Sequence, residues 1–142
     1  MRLFLNRELI PLAQRPDALI VHPHCQRTGG GTLRNTLAAA FGAERVYSRM
    51  FVPNYKSWSK LTDEDLRGYR AYTDLSDYRD LRISRPCLPV ALVREPLYRA
   101  VSLYHFIRGK KAHELYGLAM SSSLEEFYRI GSKRNPRYFR NV

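Results

Sequence analysis

The sequence predicts an α/β fold, a parallel sheet flanked by helices, in a single domain spanning residues 1–142. Three observations carry that prediction. Two short apolar runs, Ala18-Leu-Ile-Val21 and Leu88-Pro-Val-Ala-Leu-Val93, have the length and composition of buried strands. Each is followed by a turn, and each turn opens a stretch with helical spacing. Strands that alternate with helices in this way build parallel sheets.

In chain order, residues 1–17 are an irregular lead-in marked by Pro11 and Pro16. Leu19 to His24 is the first strand, bounded by Pro16 and a glycine turn. Thr32 to Phe41 is a helix that Gly42 closes. Arg45 to Ser48 is a short second strand, and residues 50–60, aromatic and basic without a period, are a surface excursion. Thr62-Asp-Glu-Asp65 has the pattern of a capping box and predicts a short helix ending near Gly68. Tyr69 to Thr73 alternates like a strand, and Ser76 to Arg82 is a further short helix. Leu88 to Val93 is a strand that tolerates Pro89 near its beginning. Pro96 suits the first turn of a helix running to about Arg108, with Leu97, Ala100, Val101, Tyr104 and Ile107 on its apolar face. Ser122 and Glu125 cap a last helix through Ile130, closed by Gly131, and residues 131–142 are a basic, loosely organised tail. No repeat, low-complexity tract or linker interrupts the chain.

The totals narrow the function. A chain of 142 residues suits one domain that buries roughly two-thirds of its unfolded surface. Lys plus Arg number 24 against 13 Asp plus Glu, a net charge of +11. That excess favours an anionic partner: a nucleic acid, an anionic membrane, a sulfated or carboxylated glycan, or a nucleotide. Arginine supplies most of it, which suits bidentate recognition of phosphate or sulfate; the bland alternative is a generic basic surface. If the two strands are parallel neighbours, Cys25 and Cys87 fall at opposite ends of the sheet, too far apart for a disulfide, since five residues at ~3.3 Å each exceed the ~7 Å limit. Two free thiols and a reducing compartment are expected. Asn6, Arg7 and Glu8 interrupt the opening apolar residues too early for a signal peptide. No stretch reaches the ~20 apolar residues that span a bilayer, so a cytoplasmic location without a membrane segment is expected. Metal-ligand spacings are absent, and no metal is expected.

Two motifs carry the chemistry. His22-Pro-His-Cys-Gln-Arg-Thr-Gly-Gly-Gly-Thr-Leu33 runs from strand through glycine turn to helix. Glycines let the backbone approach a phosphate, and a helix N-terminus offers N–H groups and a positive dipole end. Arg27 adds a full charge at the mouth. Neither the Walker A spacing nor the dinucleotide Gly-x-Gly-x-x-Gly spacing is present, and a plain tight turn is the structural alternative. The second motif, Leu92-Val-Arg-Glu-Pro-Leu-Tyr-Arg-Ala-Val-Ser-Leu-Tyr104, again passes from strand to helix. Arg94 falls at the strand's C-terminal end, where open α/β sheets bind ligands. Ser102 lies about two turns into the helix, off its apolar face. Together they can hold a second phosphate. The alternative is an Arg94–Glu95 surface pair and a serine with no task.

Taken together, the two segments resemble sulfotransferases that use 3′-phosphoadenosine 5′-phosphosulfate. The likeness is nearest to the carbohydrate branch, including heparan sulfate 6-O-sulfotransferases and related bacterial enzymes. That family writes its first loop as His-Ile-Gln-Lys-Thr-Gly-Gly-Thr-Thr; here His24-Cys-Gln-Arg-Thr-Gly-Gly-Gly-Thr32 stands in register. Its second signature, Leu-Arg-Glu-Pro followed by Arg-x-x-Ser-x-Tyr-Tyr, is matched by Val93-Arg-Glu-Pro96 and Arg99-Ala-Val-Ser-Leu-Tyr-His105, with the serine eight residues after the arginine in both. Weaker likeness runs through Ser123-Leu-Glu-Glu-Phe127 and Asn135-Pro-Arg-Tyr-Phe139.

The resemblance implies a P-loop-like parallel sheet, shortened at the C-terminus, and transfer of a sulfuryl group to a hydroxyl, with a carbohydrate as acceptor. The backbone from Arg27 through Thr28, Gly29, Gly30 and Gly31 to Thr32, extending to Leu33, would bind the 5′-phosphosulfate with the Thr28 and Thr32 hydroxyls. Arg94 and Ser102 would hold the 3′-phosphate. Arg27 occupies the family's lysine position, where a cation stabilises charge on the leaving phosphate; catalysis would be positioning plus electrostatics.

The chain departs from the family at named places. Arg27 replaces a compact movable ammonium by a wider fork, and Gly31 replaces a threonine. The family's base histidine, after a glycine on a middle strand, corresponds to the stretch Gly68-Tyr-Arg-Ala-Tyr-Thr-Asp-Leu75, where Tyr69 and Arg70 do not suit a base near neutrality. His24 is the nearest catalytic candidate, followed by His22 and Asp74, although a histidine beside such a loop often serves only the backbone. His105 and His113 read as helix-surface residues. The family's later segment, which covers the adenine, has no counterpart in residues 131–142, so a fragment, a minimal member or a domain completed by a partner subunit is expected. Two other functions compete with the enzyme. One is the same fold binding the nucleotide or a polyanion without turnover. The other, the least supported, is a nucleic-acid module built on the Tyr/Arg-rich stretches 47–72 and 128–140.

Overall fold

The chain's computed structural model describes residues 11, 14–56, 60–75 and 83–139. Its contacts group them into two compact units. One comprises the described residues up to His24 together with Gly29–Leu92; the other comprises Cys25–Thr28 and the described residues from Val93 onward. The predicted helix over Ser76–Arg82, residues 1–10 of the lead-in and 140–142 of the tail lie outside the described residues.

The first unit holds β1 (Leu19–Pro23), α1 (Gly30–Phe41), a 3-10 turn (Ala43–Arg45), β2 (Val46–Tyr47), β3 (Ala71–Leu75) and β4 (Cys87–Pro89). The four strands form one sheet in the order β2-β3-β1-β4, and every pairing is parallel. This is the predicted α/β arrangement. Side chains alternate across each strand. One face carries Leu19, Val21, Tyr47 and Tyr72 into a core with Leu61 and Leu66. The other carries Val46 and Ala71 against Leu37 of α1, with Ile20, Leu33 and Phe41 at the margin.

Several boundaries differ from the sequence reading. β4 stops at Pro89 instead of running to Val93. Val90 still donates to the Val21 carbonyl at 2.8 Å. Beyond that point β1 ends in Pro23, and a proline has no N–H with which to extend the ladder. Arg94 therefore does not sit at a strand end, as expected; it lies in an irregular segment before the next helix. α1 starts at Gly30, before the predicted Thr32, because Gly29 adopts φ 102° and its carbonyl accepts from Leu33 N at 3.1 Å.

The stretch from Thr62 to Gly68 is a run of turns, not a helix. The reciprocal bonds of the capping pattern do form, Thr62 N to Asp65 Oδ2 at 3.0 Å and Asp65 N to Thr62 Oγ1 at 3.3 Å. Gly68, at φ 85°, ends the segment before enough helical bonds could offset nucleation. Lys56 donates to Asp65 at 2.5 Å. That bond, with those from Thr62, holds the Asp65 carboxyl below the ordinary carboxylate range. A lowered folded-state value stabilises above the unfolded one and is lost as pH falls through it. Asp65→Asn is therefore expected to flatten the acid limb of the stability curve below roughly pH 4, read from urea midpoints across pH. An unchanged acid slope would remove the assignment.

The second unit holds α2 (Pro96–Arg108), α3 (Tyr116–Ser121), α4 (Leu124–Arg134) and a 3-10 turn (Pro136–Tyr138). α2 has the predicted bounds, with Pro96 in its first turn and the Glu95 carboxylate accepting from Tyr98 N at 2.8 Å. Its buried residues are Arg99, Leu103, Tyr104 and Ile107, whereas Leu97 is 64% exposed. Tyr104 and Ile107 of the expected face are buried; Leu97 is not, because the buried stripe 99-103-107 begins with an arginine. α3 had no counterpart in the reading. α4 is capped one residue later than expected, by Ser123 and Glu126 in a reciprocal capping box, and runs through Gly131 to Arg134. Gly131 does not stop the helix. It makes room for the Phe139 ring, which lies where a Cβ would stand. The described part of the tail is accordingly docked rather than loose, with Phe139 4.8 Å from the Tyr128 ring and 5.4 Å from that of Phe127. Phe127, fully buried, centres this core.

Candidate anion-binding site

The loop Cys25–Thr28 is shaped by its carbonyls. Cys25 O accepts from Thr28 Oγ1 at 2.7 Å, Gln26 O from Arg99 Nε at 3.1 Å, and Arg27 O from Arg94 Nη1 at 3.3 Å. Three consecutive carbonyls are thus held by three side chains. Each peptide is trans and planar, so the N–H across the bond points the opposite way. The N–H groups of Gln26 and Arg27 each point away from the carbonyl of their own peptide, and among the described residues neither donates to another backbone group. The Thr28 N–H closes the turn over Gln26 and Arg27 toward Cys25 O. Successive free N–H groups in such a turn form an anion-binding concavity.

Arg27 is held at φ 67°, in the left-handed region. For a residue with a Cβ this costs about 1–2 kcal/mol. Its side chain is also committed: Nε donates to Ser102 Oγ at 3.2 Å, and the guanidinium lies 4.6 Å from the centre of the Phe106 ring. Ser102 and Phe106 sit one turn apart on α2, so a single helix face fixes both the position and the tilt of this cation. Among the described residues neither Arg27 nor Arg94 is in an ion pair. Glu95, the neighbour that might have neutralised Arg94, is instead the N-cap of α2. The Arg94–Glu95 surface pair is therefore not formed. Arg27, Arg94 and Ser102, drawn from two motifs far apart in sequence, come together in this unit.

In the other unit, α1 opens with Gly30, Gly31 and Thr32, with no side-chain cap and no acidic residue in its first turn. Those N–H groups and the dipole end are available to an anion. The Leu33 N–H is spent on the Gly29 carbonyl. Gly30 is buried, and a Cβ there would stand 2.7 Å from His24 Nε2. The imidazole of His24 thus packs on the helix start, with the His22 ring stacked at 5.7 Å. His22 is fully buried, and its Nδ1 lies 2.8 Å from Val90 O. A carbonyl only accepts, so Nδ1 carries the proton. Burial keeps His22 from serving an outside acceptor as a base. Asp74 lies on β3, and its side chain falls outside the described part.

No family model, no curated protein and no solved structure matches this chain.

Thr28 is buried, its hydroxyl turned inward to Cys25 O, while Thr32 is exposed in the first turn of α1. Both cysteines are free thiols, and burial pushes the Cys87 thiol up. Among the described residues no group of three or more His, Cys, Asp or Glu side chains could hold a metal ion, and no helix is long and apolar enough to cross a membrane. Sequence reasoning missed the parts played by Gln26, Arg99 and Phe106. The signal for Phe106 was its spacing four residues after Ser102; for Gln26 there was none, since its backbone alone takes part.

Proposed function

We propose that this chain is a sulfotransferase-like domain that binds 3′-phosphoadenosine 5′-phosphosulfate and passes its sulfuryl group to a hydroxyl, with a carbohydrate as the acceptor. The observation that carries the reading is the set of three carbonyls held by Thr28, Arg99 and Arg94, which leaves the N–H groups of Gln26 and Arg27 for an anion. The meeting of Arg27 with Ser102 supports it further. In this reading Arg94 and Ser102 hold the 3′-phosphate and Arg27 neutralises charge beside the 5′-phosphosulfate. In the other unit, the bare first turn of α1 by itself suits an anion. The bound nucleotide supplies the activated sulfuryl group; the chain's residues bind, orient and neutralise. The net charge of +11 suits both the nucleotide and an acidic glycan.

A second reading, binding without turnover, draws on one observation. The Arg27 guanidinium is fixed by Ser102 and Phe106, so it is a stationary cation rather than one that follows moving charge. Calorimetry separates these readings from a nucleic-acid module. Adenosine 3′,5′-bisphosphate is expected to bind at least about tenfold more tightly than adenosine 5′-phosphate, one charge-assisted contact being worth about 1.5–3 kcal/mol. Equal affinities would remove the 3′-phosphate assignment. Sulfate transfer from labelled donor to a panel of glycans then divides enzyme from binder.

A further inference from the structure

We infer that Arg99 is a positioning residue that makes the shape of the anion loop depend on docking of the segment Pro136–Phe139. Arg99 is 4% exposed, and its guanidinium faces two ways. Nε donates to Gln26 O at 3.1 Å, and Nη2 donates to Tyr138 O at 2.9 Å. A planar fork with fixed donors holds two backbone carbonyls in one geometry, which a single ammonium cannot reproduce. The Gln26 carbonyl belongs to the peptide that precedes Arg27, the residue in the left-handed conformation. Releasing that carbonyl frees the peptide to rotate, and with it the Arg27 N–H.

The other end of the tie is anchored independently of the loop. Tyr138 packs at 5.0 Å on the His113 ring, and Phe139 packs over Gly131 and between the Phe127 and Tyr128 rings. The segment's seat is therefore a hydrophobic one on α4, and Arg99 transmits it to the loop. This deepens the proposed function by naming what holds its loop in shape, and the coupling itself can be observed without ligand.

Two folded full-length variants test it. Arg99→Lys keeps the charge and loses the fork. Gly131→Ala touches no loop residue, but its methyl group must push the Phe139 ring aside. Each is first checked for cooperative thermal unfolding. Amide order parameters of Gln26, Arg27 and Thr28 are then compared by nitrogen relaxation without ligand. The parent is expected near about 0.85, and both variants below about 0.6, while Leu103 to Ile107 of α2 stay near the parent value. A rigid loop in either folded variant overturns the inference. If Arg99→Lys does not fold, Gly131→Ala decides alone. In calorimetry both variants are also expected to bind adenosine 3′,5′-bisphosphate roughly tenfold more weakly. A parent that does not bind this nucleotide removes the proposed function and leaves the relaxation result standing.

Discussion

Arg27→Gly is expected to leave stability within about 1 kcal/mol of the parent and to weaken adenosine 3′,5′-bisphosphate binding by roughly 30- to 100-fold. The two effects separate because opposing terms meet at this residue. Glycine relieves the left-handed backbone at φ 67°, worth about 1–2 kcal/mol. Against that, the folded state loses the bond to Ser102 and the stacking on Phe106, and the unfolded chain gains freedom. For folding the sum is near zero. Binding has no such compensation, because a full cation leaves the site and hydrogen bonds to a charged group are worth about 1.5–3 kcal/mol each. Thermal unfolding and calorimetry on the same sample check both halves. A large loss of stability would make Arg27 a structural residue; unchanged affinity would take it out of the site.

Phe127→Ala carries the largest expected cost to folding, about 3–5 kcal/mol. The side chain is fully buried, with ring centres 5.4 Å from Tyr104 and from Phe139 and 6.0 Å from Tyr128. Truncation leaves a cavity among large rings that cannot collapse into it. A loss of that size is a substantial part of the 5–15 kcal/mol that holds a typical domain together. Phe127→Leu fills much of the space and is expected to cost markedly less. The consequence reaches the site, because α2 carries Arg99 and Ser102 and the docked segment carries the second partner of Arg99. Urea denaturation followed by circular dichroism measures both variants. A cost below about 1 kcal/mol for alanine would show that Phe127 does not centre this core.

Much of the fold was legible in particular residues. The apolar run before the glycines specified β1, Gly42 the end of α1, and Pro96 the start of α2, because each acts through its own backbone geometry. The reading failed where a neighbour distant in sequence made the decision. Gly131 resembled a helix stop until Phe139 was found to occupy its Cβ position. Leu97 resembled a core residue and is exposed; Arg99 resembled a surface residue and is buried between two carbonyls.

The site divides in the same way. The sequence by itself determined which residue types were available for the proposed anion binding: the glycines, Arg27, Arg94 and Ser102, placed in two segments that each lead into a helix. Only the tertiary structure decided that Arg94 and Arg99 hold loop carbonyls, that Glu95 caps a helix instead of neutralising its neighbour, and that Arg27 rests on Ser102 and Phe106. The reason is physical. Backbone conformations favoured by glycine and proline are local properties of one residue and can be read one residue at a time. The direction of a carbonyl and the partner of a guanidinium depend on donors some seventy residues away, and those meet only when the chain has folded.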